Sequence, residues 1–148
     1  MPVVDKDYIV RMVKQIGDLF ARLLKLMERR EYDQAIRALQ SACPSLLGLD
    51  YGPLSFADAE TAAKLLVERE KVKLFAQLVA KEAEILELKG DASAHEKRRF
   101  ALELWAEALL RGAPLSPEQA STVRALTERV GPSAVGEPYA GALSRAAV

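Results

Sequence analysis

The stretch that decides the fold is residues 5–29, DKDYIVRMVKQIGDLFARLLKLMER, because its apolar residues recur with the period of an α-helix. One apolar stripe contains Ile9, Val13, Ile16, Phe20, Leu23 and Met27. A second stripe contains Met12, Ile16, Leu19, Leu23 and Leu26. Charged and amide side chains fill the opposite side of the helix. The sequence therefore predicts a helix whose apolar face is wider than one neighbouring helix can cover.

A second helix is predicted directly after the first, so that the two form an antiparallel hairpin. Residues 30–31 form a tight break, and apolar and small residues of Tyr32–Cys43 share one face. Pro44 lacks an N–H group and clashes with the preceding turn, so the helix is expected to stop or kink there. Residues 46–47 could form one more turn, and residues 48–53 are predicted as loop.

Four further helices bring the predicted total to six. Ser55 is the predicted N-cap of a short alanine-rich helix that ends near Val67, with Asp58 at its third position. Residues 68–71 are either a break or a solvated continuation. The fourth helix is predicted to end at about Lys89, before Gly90. The fifth is predicted to run from about Ala94 to Arg111, and the sixth from a Ser116 cap to Val130.

The C-terminal residues are rich in glycine and proline and are predicted as a tail. Residues 132–148 contain Gly136, Pro138 and Gly141, and at most one helical turn is expected near their end. No segment alternates between apolar and polar residues as a half-buried strand does. The sequence thus predicts an all-α protein of stacked antiparallel helical hairpins, with one domain in residues 1–131 and a flexible tail in residues 132–148.

The first hairpin carries a local pattern of large and small residues. Its first helix contributes Leu19, Leu23 and Leu26, residues 30–36 read REYDQAI, and its second helix contributes Leu39 and Ala42. This pattern resembles the tetratricopeptide-type repeat, with Arg30 at the position of the family's turn glycine. Residues 82–91 and 101–109 resemble the same repeat pattern less closely. The resemblance implies a right-handed superhelical array of hairpins, similar to uncharacterised bacterial helical-repeat proteins, and it implies a fold rather than an activity.

Composition and charge argue against several classes of protein. Lys plus Arg and Asp plus Glu both number 21, so the chain has no net charge to attract nucleic acid or an anionic membrane. Short apolar runs predict no transmembrane helix. The first residues, MPVVD, lack the basic and apolar regions of a signal peptide. We therefore expect a cytoplasmic protein with neither a nucleic-acid nor a membrane partner.

Histidine and cysteine occur once each, which limits catalytic and metal chemistry. His95 lies among the charged residues 96–99, so a solvent-facing side chain is a better interpretation than a general base. Cys43 lies on the apolar side of its helix, so a small buried hydrophobic residue is a better interpretation than a nucleophile. One histidine and one cysteine do not make a zinc site.

The remaining candidates are carboxylates, a basic cluster and aromatic residues. The carboxylates considered are Glu82, Glu84, Glu87, Glu103 and Glu107. The absence of a Glu-x-x-His pattern argues against a di-iron site, and Glu103 and Glu107, four residues apart on one helix, favour a solvated face. Residues 97–99 are too small a basic cluster for nucleic acid. Trp105 is interpreted as a core residue; the alternative is that its ring inserts into a groove of a partner protein. Tyr139 is interpreted as exposed. Phosphate-binding loops are absent, so we expect no catalytic, cofactor-binding or metal-binding residues and no cofactor.

Three functional hypotheses follow from these patterns. The first is a tetratricopeptide-like scaffold without catalytic activity, whose concave face binds a peptide or helix of another protein. The second is a homodimer assembled through the first helix, because an exposed apolar face of that width usually marks an interface. The third is a small-molecule-binding helical bundle, which requires a pocket lined by Glu82, Glu103 or Glu107.

Overall fold

The computed structural model describes residues 6–131 and 133–146, and its regular structure is α-helical throughout, which confirms the all-α prediction. Eight helices lie within these residues: α1 (Lys6–Glu28), α2 (Tyr32–Leu47), α3 (Tyr51–Phe56), α4 (Ala59–Leu66), α5 (Arg69–Lys89), α6 (Ala94–Leu110), α7 (Pro117–Val130) and α8 (Tyr139–Ala146). The described part of the chain does not include residues 1–5, where the first helix was predicted to start at Asp5. It also does not include residues 132, 147 and 148 of the predicted tail.

The antiparallel pair α5 and α6 forms the centre of the fold, because the other helices pack around it. α2 packs on α5, and α1 packs on α2. On the other side α4, α7 and α8 pack on α6. Both central helices carry apolar residues around much of their circumference, as buried helices do. The four-residue connection 90–93 joins them directly, so the most extensive helix pair is also local in sequence.

Aromatic rings lie at the middle of this core. Phe75 of α5 is fully buried and meets Tyr51 of α3 and Phe100 of α6 edge to face, with ring centroids 5.9 Å apart in both pairs. Such T-shaped pairs place the positive ring edge against the negative ring face. The three rings connect three helices and fix the position of the short α3 against the central pair.

Several predicted helix ends are confirmed by their local chemistry. The Ser116 side chain accepts a hydrogen bond from the backbone N–H of Gln119, and the Gln119 side chain accepts one from the N–H of Ser116. This reciprocal capping box begins α7, with Pro117 as its first residue. Gly90 ends α5 in the left-handed conformation that glycine adopts without steric cost.

α2 does not stop at Pro44, which was one of the two outcomes expected there; it continues to Leu47 and includes the further turn expected at residues 46–47. The extra turn buries Leu46 and Leu47 in the core. Their burial outweighs the hydrogen bond that the proline cannot donate. Gly48 then ends the helix in the left-handed conformation, and its N–H donates to the carbonyl of Pro44.

The predicted loop is confirmed for residues 48–50 but wrong for residues 51–53, and the predicted Ser55 cap is also wrong. Residues 51–56 form α3, since Tyr51 and Leu54 lie on one face and are both buried. The N-cap of α4 is Asp58, whose carboxylate accepts a 2.7 Å hydrogen bond from the N–H of Thr61. Asp and Ser are about equally good caps, so the sequence did not distinguish the two positions.

The predicted six helices become eight, because α3 and α8 were not foreseen. Residues 139–146 form two turns of helix where at most one was expected. Ala142 and Leu143 of α8 are buried, as is Val135 in the connection that precedes it. Residues 68–71, which the sequence left open, contain a break: α4 ends at Leu66 and α5 begins at Arg69.

Candidate functional site

The apolar face of α1 is only partly covered by the rest of the chain. Leu23 is fully buried and Ile16 is nearly so, since they face α2 and the core. On the adjoining side of the same helix Val10, Val13 and Leu24 are 59%, 63% and 56% exposed. We call Val10, Val13, Gly17, Phe20 and Leu24 the free face of α1. Its existence agrees with the predicted excess width of the apolar stripes.

A half-open groove of about 480 Å³ lies next to this free face, between α1, α5 and α7. The α1 wall is apolar and consists of Ile9, Met12, Val13, Ile16 and Phe20. The α7 wall is polar and consists of Ser116, Glu118, Gln119 and Thr122. The groove runs along α5 from Glu70 to Glu84, which is about 21 Å at 1.5 Å per residue. An amphipathic segment matches a groove with one apolar and one polar wall.

Trp105 of α6 also lines the groove, although its side chain is almost completely buried. The burial confirms its interpretation as a core residue. Its indole Nε1 is inaccessible to solvent and has no hydrogen-bond partner among the described residues. A buried donor without an acceptor is costly, and nearly all such groups in native proteins are paired. The Trp105 donor is therefore unsatisfied inside the fold, as is the Nε of Arg98, and the surrounding atoms close it off from the open space of the groove.

The α7 end of the groove is held by a buried lysine. Lys73 Nζ donates to the Pro114 carbonyl at 2.8 Å and to Gln119 Oε1 at 3.1 Å, and it forms an ion pair with Glu70 at 3.1 Å. These contacts use all three donors of the ammonium group. The lysine therefore does not present a free charge to the groove, and it fixes the start of α7 relative to α5.

The α1 side of the groove is tied to α5 by two cation–π contacts. Lys81 Nζ lies 4.9 Å from the ring centroid of Phe20, and Lys71 Nζ lies 5.8 Å from that of Tyr8. Lys81 also pairs with Glu84 at 2.8 Å. Contacts of this kind contribute modestly at exposed sites. The α1 wall is therefore held to α5 less firmly than the α7 wall.

A second cavity, of about 390 Å³, has the buried carboxylate of Glu82 in its lining. Glu82 Oε1 accepts a 2.7 Å hydrogen bond from the Tyr51 hydroxyl and lies 3.1 Å from Lys97 Nζ. Its Oε2 accepts a 3.1 Å hydrogen bond from the Gln40 amide. Residues of α2, α3, α5 and α6 thus meet at one carboxylate, and every contact neutralises or satisfies it.

Burial and charge shift the acidities of two groups near this cavity. Burial, and then the charge and hydrogen bond of Glu82, raise the pKa of Tyr51, so its hydroxyl remains a donor. Burial, and then the charge of Asp50, raise the pKa of Cys43 to about 11. The buried thiol agrees with the prediction of a small hydrophobic residue. A thiol protonated at neutral pH is a poor nucleophile.

The predicted solvated face of Glu103 and Glu107 is wrong for Glu107, which is buried. Its carboxylate accepts from Arg111 Nη1 at 3.1 Å, one turn further along α6. This pairing and the packing of α8 on α6 make the burial tolerable. Tyr139 of α8 is half-buried rather than exposed, and its pKa is raised to about 12 by burial and then by Glu107 and Glu103. Burial also raises the pKa of Glu103 itself.

The other sequence candidates are exposed or neutralised by ion pairs. His95 is exposed, as predicted. In the basic cluster, Lys97 pairs with Glu82, and Arg98 pairs with Glu87 at 3.0 Å. Glu87 also pairs with Arg129 of α7. Among residues 6–131 and 133–146 no three His, Cys, Asp or Glu side chains are grouped so that they could hold a metal ion.

Sequence reasoning missed the side chains that surround Glu82 and the role of Lys73. Gln40 and Lys97 lie 42 and 15 positions from Glu82 in the sequence, and no local pattern connects them. Tyr51 had a weak signal, since it precedes Leu54 by one helical turn. Lys73 has a signal in retrospect, because it lies between the apolar residues Val72 and Leu74 near the start of a buried helix.

Comparison of the chain with protein-family models, curated proteins and solved structures gives no match. No helix in the described part of the chain is long and apolar enough to span a membrane.

Proposed function

We propose that this protein is a non-catalytic interaction scaffold of tetratricopeptide-like type, which binds an amphipathic helix of another protein in the groove between α1, α5 and α7. The observation that carries the proposal is a groove along α5 with one apolar wall and one polar wall. The polar side of a bound amphipathic helix faces the α7 wall. Its apolar side covers the α1 wall.

The order of the helices supports the hairpin-array interpretation. α1, α5 and α7 each precede a helix that packs on them: α2, α6 and α8. The groove is lined mainly by these three leading helices. Stacked hairpins place equivalent helices on one side and so create an extended concave surface, which is what repeat proteins use for binding. The short helices α3 and α4 lie between the first two hairpins as an insertion in this array.

The charges that line the groove favour recognition by shape and apolar contact. Lys73 and Lys81 are already paired with Glu70 and Glu84, respectively. Only Glu118 adds a carboxylate without a cation partner in the groove lining. A nearly neutral groove provides little electrostatic steering, so affinity depends on buried apolar anchors.

The test is the selection of amphipathic helical peptides against the full chain, followed by titrations. Trp105 is the single tryptophan, so its fluorescence reports occupancy of the groove directly. Thr122→Arg places a long charged side chain in the groove and is expected to abolish the fluorescence change. Ser121→Arg, at the neighbouring exposed position outside the groove lining, is the matched control and is expected to bind normally.

If no helical peptide is selected, the proposal is wrong. Equal binding to the Thr122→Arg and Ser121→Arg variants also contradicts it.

A second candidate function is the binding of an uncharged polar small molecule in the Glu82 cavity. The observation that favours it is that the buried Glu82 carboxylate lines a cavity together with Lys97, Gln40 and Tyr51. The small-molecule hypothesis requires a pocket lined by such a carboxylate. The test is a thermal-shift screen in which a ligand raises the Tm of the wild type but not that of Glu82→Gln. Equal shifts in both proteins rule out this site.

A further inference from the structure

We propose that a second copy of this chain docks on the free face of α1, with the two α1 helices antiparallel about a twofold axis. The free face lies on the outer side of α1, and the groove lies on its inner side. Only Val13 and Phe20 belong to both surfaces. The proposal therefore goes beyond groove binding, because it assigns a specific partner to the remaining apolar surface of α1.

The spacing of the free face is that of a helix–helix seam. Val10, Val13, Gly17, Phe20 and Leu24 are separated by three, four, three and four residues. This alternation keeps one narrow stripe facing a partner helix over three turns or more. A helix that faced only water here would carry polar residues, as α1 does at Lys14 and Asp18.

Gly17 lies in the middle of the seam and leaves room for a close approach. Apart from its chain neighbours and the backbone of its own helix, no atom of the described residues lies within 4 Å of the position that a Cβ would occupy there. Glycine in a helix interior is destabilising compared with alanine, so the fold of one chain does not favour it. Two helix backbones that cross at this point gain closer packing from the missing side chain.

The charges at the two ends of the seam are complementary when two copies run antiparallel. Lys6 and Glu28 lie eleven residues before and after Gly17. Both are exposed, and neither takes part in the ion pairs found within residues 6–131 and 133–146. A twofold axis at Gly17, about which the seam residues of the two copies also meet, brings Lys6 of each copy opposite Glu28 of the other. A parallel pairing instead brings like charges together.

The whole chain does not oppose this association. Its net charge is zero, so two copies do not repel each other at long range. α1 has 23 residues, which gives about 34 Å of helix along which a twofold contact can form. The uncovered apolar residues of two copies then cover each other, which removes them from water.

The first test is sedimentation velocity of the full chain at tens of micromolar. The wild type is expected to sediment as a dimer and Leu24→Glu as a monomer. Leu65→Glu is the matched control, because Leu65 is a similarly exposed leucine on α4, and it is expected to remain dimeric. Circular dichroism is expected to show equal helix content in all three proteins, since both leucines are exposed. A monomeric wild type, or a dimeric Leu24→Glu, overturns the proposal.

The second test is an exchange of the flanking charges. Lys6→Glu and Glu28→Lys each turn two attractive contacts into two repulsive ones, so each is expected to weaken dimerisation about tenfold. The double variant restores both contacts with reversed sign and is expected to recover the wild-type dissociation constant. If the double variant is as weak as the single ones, the antiparallel arrangement is wrong.

These results are distinguishable from failure of the groove. Leu24→Glu leaves the groove lining intact, so selected peptides are expected to change Trp105 fluorescence in this monomer as in the wild type. Thr122→Arg is expected to remain dimeric although it no longer binds the peptides. Dimerisation without peptide binding contradicts the groove proposal alone, and peptide binding by a monomeric wild type contradicts the dimer alone.

Discussion

α5 and α1 are of similar length, 21 and 23 residues, but they differ in how much of each helix the fold covers. α5 has other helices on several sides, and its buried residues include a lysine and a glutamate. α1 buries one stripe, and a second stripe remains exposed beside it. The difference shows that apolar periodicity identifies a helix, whereas the number of neighbouring helices determines which apolar residues are in the core.

The same comparison separates two kinds of polar residue. Glu82 and Lys73 on α5 are buried and are each held by several partners, most of them outside α5. Lys6 and Glu28 on α1 are exposed and take part in no ion pair among the described residues. Buried charges need partners inside the fold, since desolvation is costly. Exposed charges beside an apolar stripe remain available to another molecule.

The largest expected effect comes from the removal of a ring at the centre. Phe75→Ala is predicted to lower the free energy of unfolding by about 3–5 kcal/mol, because the ring is fully buried between two others. Phe56→Ala is the matched control: this ring is 93% exposed, and its loss is predicted to cost less than about 0.5 kcal/mol. Urea denaturation measures both. Similar losses in the two variants contradict a core centred on α5.

The second prediction sharpens the comparison within α1 itself. Leu23→Ala is predicted to lower the free energy of unfolding by about 3 kcal/mol, because the side chain is fully buried. Leu24→Ala removes the same atoms from the next residue, which is 56% exposed, and is predicted to change stability by less than about 0.5 kcal/mol. The comparison is made by denaturation in dilute solution, where a dimer contributes least. Equal losses would mean that the free face is covered in the monomer.

The third prediction concerns the polar part of the centre. Tyr51→Phe removes one hydrogen bond to the buried Glu82 carboxylate and is predicted to cost about 2 kcal/mol, as for hydrogen bonds to charged groups. In a Glu82→Gln background the same change is predicted to cost less, because the acceptor is then uncharged. Urea denaturation of the four proteins gives the coupling energy. Zero coupling contradicts the role of Tyr51 as a donor to Glu82.

The smallest expected effect lies at the edge of the fold. Ser116→Ala removes the side-chain cap of α7 and is predicted to cost about 1 kcal/mol. Ser121→Ala, within the exposed part of the same helix, is predicted to be neutral or slightly stabilising, since alanine is the better helix former. Thermal denaturation followed by circular dichroism distinguishes the two. Equal Tm values would show that the capping box does not stabilise the helix measurably.

The long helices could be predicted from the sequence, because their apolar periods and caps are local. The start of α7 at its Ser116 cap and the end of α5 before Gly90 were both predictable for that reason. α3 and α8 were not predictable, since each is only one or two turns long and lies among glycine and proline residues. Their stability comes from tertiary packing rather than from local propensity.

The candidate sites were predictable only in part. The free face of α1 follows from the width of its stripes, so it could be predicted without coordinates. The Trp105 donor and the cluster around Glu82 could not, because the Tyr51 hydroxyl and the Glu82 carboxylate meet across 31 residues of sequence. Glu107 was misassigned for the same reason: its burial depends on α8, which the sequence did not indicate.

The four-residue connection between α5 and α6 also has a consequence for biosynthesis. The two central helices can pair as soon as residues 69–110 have left the ribosome, since their contacts are close in sequence and short loops close quickly. α1 is synthesised earlier and carries its wide apolar face for the whole interval before α5 emerges. α2 covers only part of that face. The nascent chain is therefore most exposed to aggregation and to chaperone binding at its first helix, and after the central hairpin has formed only the free face of α1 stays uncovered.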